Sequence, residues 1–353
     1  MATAESTLLE SLQIPCLGGI YDCSEGEDKP LVLFSNLLLE MAPSLSGTTS
    51  DIPILLSNLH QLRQETLISV QNTTLNSPEE LFHELKQLFA SRLGDTWPKK
   101  ILAIDFTTHT QGRNLKGLCK ARGVGVEIGF TTSPDFPNAN SDSPTFLLEL
   151  SHGSQIDDSN KSFPSAALLS ITGRENVSVE GKSKLEEFAL IHKFPMTKRV
   201  PLFVDMSNSA GELAFEIISI LEAAGADLSK VCLVGLTPSR RRIELLNSIL
   251  EMTPCLLCFN SFGNILNRPV GPIPPNDEEI VEVLVALKQM NPTFLSTRII
   301  LSMNVNMKIK MTRYGGPGMG SMYIDSFSTK FSDSISFPSS TSYSKDLGTW
   351  WIQ

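Results

Sequence analysis

Arg298-Ile-Ile-Leu-Ser-Met-Asn-Val305 is a short, nearly continuous apolar run with turn-forming residues beyond it. A strand with one wet face alternates apolar and polar side chains, whereas a strand covered on both faces reads as one apolar block. Seven further runs of this kind precede it, at residues 31–39, 101–106, 124–130, 166–171, 202–205, 231–236 and 255–259. Eight such strands predict a parallel sheet with helices between them.

Helical patterns fill the gaps. Ser77-Pro-Glu-Glu80 predicts a helix start, with Ser77 as N-cap, Pro78 at the first turn and Glu80 closing a capping box; Leu81, Leu85 and Leu88 then share one face. A helix over 115–122 is expected to end on Gly123 as a C-cap. One over 212–224 places Phe215, Ile218 and Leu221 on its stripe and ends at Gly225. One over 277–290 buries Ile280, Val283, Leu284 and Leu287. Eight strands with interleaved helices define an α/β protein of the (β/α)8, or TIM, barrel type. A doubly wound sheet is the alternative, but no G-x-G-x-x-G turn follows the first strand.

The balance of 29 Lys+Arg against 38 Asp+Glu gives net charge −9 in 353 residues. That argues against nucleic acid as the main partner, since phosphate binding needs a basic surface. No apolar run reaches the 18 or so residues of a membrane span, and the first fifteen residues lack the charge and apolar core of a secretory signal. Six dispersed cysteines read as reduced thiols, so a cytoplasmic location is expected. Cys255-Leu-Leu-Cys258 lies in a strand-like run without a second ligand pair and reads as buried small hydrophobes. The five histidines, His60, His83, His109, His152 and His192, include no pair at i,i+2 or i,i+4. His152 and His192 are expected at the surface, and Arg240-Arg-Arg242 as a solvated helix start.

The run at 298–305, followed by Arg313-Tyr-Gly-Gly-Pro-Gly318, resembles the last strand and loop of the phosphotriesterase family in the amidohydrolase superfamily. Asp105-Phe-Thr-Thr108 with Gly112-Arg-Asn114 resembles its second-strand motif. Gly123-Val-Gly-Val-Glu-Ile-Gly129 and Leu221-Glu-Ala-Ala-Gly-Ala-Asp-Leu-Ser-Lys-Val231 resemble its third strand and a later helix–strand junction. The resemblance spans residues 30–320, and Trp350-Trp351 echoes a common ending. It implies a TIM barrel of the metal-dependent hydrolase type, with 1–29 as an N-terminal extension and 321–353 as a Ser-rich tail.

The family implies two divalent metals, zinc being typical, at the C-terminal mouth of the strands. They are held by His-x-His, a Lys or Glu, two further His, and an Asp that serves as base. Carried onto this chain, those positions fall on Ser35, Leu37, Ser165 for the lysine and Ile171 for the glutamate (unless the register slips by one), Asp205, Gly235 and Asn304. Leu37 and Gly235 offer no ligand atom, the neutral Ser35, Ser165 and Asn304 are poor zinc donors, and only Asp205 keeps a charge. The expectation is a family homologue without catalysis, binding no cofactor or metal. It would serve as a binding or assembly module, with a protein partner or as a homodimer, and without a membrane or nucleic-acid role. Two alternatives stand beside it. One is a metal-dependent hydrolase of esters, lactones, phosphotriesters or N-acyl amino acids, rebuilt on Asp205, Asp105 and His109. The other is a receptor taking a small-molecule ligand at the barrel mouth.

Overall fold

The computed structural model describes residues 13–16, 19–22, 31–35, 37–38, 52–65, 68–90, 101–123, 125–134, 145–157, 160–171, 176–194, 200–207, 211–263 and 275–319. The eight expected strands are all present: β1 (Leu31–Ser35), β2 (Ile101–Asp105), β3 (Val126–Thr132), β4 (Ala166–Ser170), β5 (Leu202–Asp205), β6 (Val231–Val234), β7 (Leu256–Phe259) and β8 (Ile299–Leu301). They form one parallel sheet in strict sequence order. Among the described residues one helix of seven residues or more follows each of the first seven strands: α1 (Pro78–Ala90), α2 (Leu115–Ala121), α3 (Thr145–His152), α4 (Val179–Ala189), α5 (Ala214–Ala223), α6 (Ile243–Met252) and α7 (Asp277–Met290). This is the (β/α) alternation of a TIM barrel. Ahead of it, an antiparallel hairpin of Gln13–Cys16 and Gly19–Asp22 packs against β3. The tail at 321–353, its Trp350-Trp351, and most of the polar loop at 134–144 lie outside the described residues.

The strands are buried because both their faces are covered: every described side chain of β2, β6, β7 and β8 is inaccessible or nearly so. The helices end as local chemistry directs. Ser77 Oγ accepts the Glu80 N–H at the start of α1, Asn114 caps α2, and Asn276 caps α7, whose first turn is acidic and so complements the helix dipole. α5 ends at Gly225, whose φ of 91° suits glycine.

Three expectations differ. Gly123 is not an αL cap: α2 closes at an extended Arg122, and Gly123 is small because a Cβ there would lie 2.8 Å from the Phe82 ring. On α5 the buried stripe is Ala214, Ile217, Ile218 and Leu221, and Phe215 stands exposed one step round the helix. His192 is buried: its Nε2 donates to Val200 O and its Nδ1 accepts the Asp227 N–H, each at 2.9 Å, so both ring nitrogens are used by the fold. His152 and Arg240–Arg242 lie at the surface as expected, the arginines meeting Glu282 and Glu212.

β1 and β8 are the two edges of the sheet, with no backbone ladder between them among the described residues. Polar side chains close the gap. Val305 N–H donates to Ser35 Oγ at 3.0 Å, Ile309 N–H to Asn72 Oδ1 at 3.0 Å, and Arg63 to Gly315 O at 3.0 Å. The segment after β8 then lies along α1. The buried Glu84 carboxylate accepts from Thr312 N, Thr312 Oγ1 and Met319 N, while Glu80 accepts from Tyr314 Oη at 2.6 Å. Glycine is required here, since a side chain at Gly316 would collide with the Lys310 and Ile309 backbone, and one at Gly318 with Glu84.

Candidate functional site

In a (β/α)8 barrel the site sits where the strands end at their C-termini. The rings of Phe106 and Phe203, from the non-neighbouring β2 and β5, meet with centroids 5.1 Å apart. Two strands that are not adjacent touch this way only across the barrel interior, so Phe203 faces inward. Two residues on, so does Asp205. Register pairing extends its row across the strands as Ser170, Asp205, Val234, Cys258 and Ile300. One carboxylate, one serine hydroxyl and one buried thiol are the donor groups in that row.

Asp205 does not stand free. Its Oδ1 accepts from Ser207 N at 2.9 Å and from Ser207 Oγ. This turn folds over Gly235, where a Cβ would lie 2.7 Å from Asp205 Oδ1 and from Ser207 N. With φ at 75°, Gly235 suits glycine alone. A histidine there would be excluded by backbone conformation and by volume together.

The first strand differs from the sequence expectation. Ser35 pairs in register with Asp105, and Asp105 with Phe130, so the three share a face. Arg113, from the segment entering α2, stacks over the Phe130 ring at 4.8 Å. That face therefore looks toward the helices, and Ser35 serves the seam with Val305 instead of the interior. Leu37 is buried, and its backbone N–H donates to Asp105 Oδ1 at 2.8 Å. Ser165 lies one residue before β4, at the edge opposite the mouth, where its hydroxyl fills the space left by Gly129. Ile171 follows β4 and is buried; it is Ser170 that shares the row of Asp205. Asn304 donates its N–H to Asn260 O at 3.1 Å and accepts Lys310 Nζ at its carbonyl, while its side-chain Oδ1 is buried without a partner among the described residues.

Asp105 is fully buried. Beside the Leu37 bond, its Oδ1 accepts from Thr107 N and Thr107 Oγ1, so it holds two loops together. Burial pushes its carboxyl up to about 6, against the opposing pull of those donors and of Arg113. His109 is exposed on a turn of 3-10 helix outside the barrel. Asp105, His109 and Asp205 thus lie on an outward face, on the surface and on an inward face.

Among the described residues no group of three or more His, Cys, Asp or Glu side chains converges as a metal site. A binuclear centre of the family's kind does not fit the donors among the described residues, because one carboxylate engaged with its own turn cannot bridge two cations. No described helix is long and apolar enough to cross a membrane.

Sequence reasoning missed the buried pair Arg113–Glu149, with side chains 4% and 6% exposed. It also missed the role of Glu84, where burial holds the carboxyl above its usual range against the lowering pull of Thr312 and Met319. The only signal was Arg113 inside the quoted motif; Glu84 reads as an ordinary helix-surface residue.

The fold is that of a TIM barrel, with its candidate site at the C-terminal mouth of the strands. Residues 185–327 match the model of the phosphotriesterase family, a stretch that holds two of the motifs that resemble that family, 221–231 and 298–318. No curated protein sequence matches it. Among solved structures, a resiniferatoxin-binding protein from Rhodobacter sphaeroides is similar, with TM-score 0.77 and 18% identity over 96% of this chain and 94% of that one. The phosphotriesterase homology protein from Escherichia coli aligns with TM-score 0.67 and 16% identity over 93% and 100%. The lactonase Lmo2620 from Listeria monocytogenes aligns with TM-score 0.65 and 14% identity over 95% of each chain. At these identities the likeness is one of fold.

Proposed function

We propose that this chain is a non-catalytic member of the phosphotriesterase-type barrels, acting as a binding or assembly module. The observation that carries the reading is the turn of Asp205 onto Ser207 over Gly235. The one inward carboxylate of the row is engaged locally, and the position where the family places another histidine has no room for a side chain. Metal analysis of the purified protein is the test, together with a screen of esters, lactones, phosphotriesters and N-acyl amino acids. The expected result is substoichiometric metal after dialysis and no turnover. Near-stoichiometric zinc or manganese, with turnover lost in Asp205→Ala, would overturn it.

A second reading, a small-molecule receptor at the mouth, is favoured by the orphaned Asn304 Oδ1, since a buried acceptor calls for a donor. Thermal shifts against a metabolite panel check it, with Asn304→Leu as the control that should abolish any response.

A further inference from the structure

On the helix side of β2 and β3, outside the barrel interior, a surface cavity of about 410 Å³ is lined by His109, Arg113, Lys116, Glu149 and Ser154 among others. That volume lies within the range of small-ligand clefts. Its back wall is tied together by side-chain contacts. Arg113 donates to Thr131 O and to Glu149 Oε1 and stacks on Phe130, while Ser154 Oγ donates to the same Oε1. The other oxygen, Glu149 Oε2, is buried and has no partner among the described residues, although Glu149 is only 7% exposed. Buried carboxylate oxygens are ordinarily satisfied, so the wall presents an acceptor in need of a donor.

The charge of the lining narrows the ligand. Arg113 and Glu149 neutralise each other, so a second cation gains little at Oε2, whereas a neutral hydroxyl or N–H fits. Lys116 is exposed at the rim and makes no salt bridge among the described residues, leaving one positive charge to meet an anion. We propose that this cavity binds a small hydroxycarboxylate, its hydroxyl donating to Glu149 Oε2 and its carboxylate facing Lys116.

Calorimetric titration of the full chain with malate, lactate, citrate and succinate tests the assignment. At least one hydroxy acid should bind saturably in the millimolar range or tighter. Succinate, which has the carboxylates of malate without the hydroxyl, should bind about tenfold more weakly than malate, because a site built around a polar group rejects the analogue lacking it. Lys116→Ala, and Lys116→Met if the stem is needed for packing, should weaken binding several-fold with the melting temperature unchanged. Lys182→Ala on the distant α4 should leave it intact. No saturable binding by any of the hydroxy acids, equal affinity for malate and succinate, or indifference to both Lys116 variants would each overturn the proposal. None of these outcomes bears on the mouth or its metal content.

Discussion

Gly235 and His192 show how much a single position constrains here. At Gly235 an alanine would meet both a positive φ and the Asp205–Ser207 turn. Gly235→Ala should therefore destabilise by about 1–3 kcal/mol, read as a lower urea midpoint with an unchanged slope. His192 is held neutral: Nδ1 accepts an N–H, so protonation would set two donors face to face. Burial pulls its pKa below the ordinary imidazole value; Asp227 and the Val200 carbonyl oppose that pull, and Lys230 reinforces it. The sign follows. With the folded pKa depressed, this contribution is complete above about pH 6.5, the ordinary value, and is lost as pH falls below it toward the folded pKa. Melting temperature should drop between pH 7 and 5, and His192→Gln should flatten that slope. No residue-scale pattern in the sequence exposes this role: one histidine before a lysine in a helical stretch reads as solvated, and its partners, Val200 and Asp227, come from segments that only the fold brings near.

At the scale of elements, the strands and helices were legible almost throughout. β5 and α7 match their expected bounds, β3 lies two residues further along than expected, and the other strands differ by trimmed ends. Apolar block length and capping residues are local signals, and both survive folding. Which face a strand residue takes is not local. In an all-apolar block the period of two leaves no mark, so Ser35 read as inward although its register with Asp105 and Phe130 turns it outward. The same limit hid Glu84. Its carboxylate gathers three donors from the segment after β8, so Glu84→Ala leaves buried donors unsatisfied and should cost about 2–3 kcal/mol in chemical denaturation. Glu84→Gln keeps one acceptor oxygen and should lose less.

For the whole molecule, the barrel was readable from strand count and order, and the likeness of residues 185–327 to the phosphotriesterase family from the motifs at 221–231 and 298–318. The site was readable only as a set of substitutions. That Asp205 closes on Ser207 depends on a turn whose partner lies two residues on and on the empty position at Gly235 across the sheet. If no resident metal stabilises the fold, a chelator has nothing to withdraw. Melting temperature with and without EDTA should agree within about a degree, whereas loss of a tightly held ion would lower it by mass action.

The seam has a kinetic side. Ladders between neighbouring strands assemble from segments near in sequence, but the Ser35–Val305 bond joins residues 270 positions apart, and Asn72–Ile309 spans 237. Closing so long a loop is entropically slow, and the bonds that reward it are a few side-chain contacts instead of a continuous ladder. The chain should therefore form its sheet first and shut last, and unfolding should begin where β1 meets β8, with amides of 305–319 exchanging with solvent before those of β5 and β6.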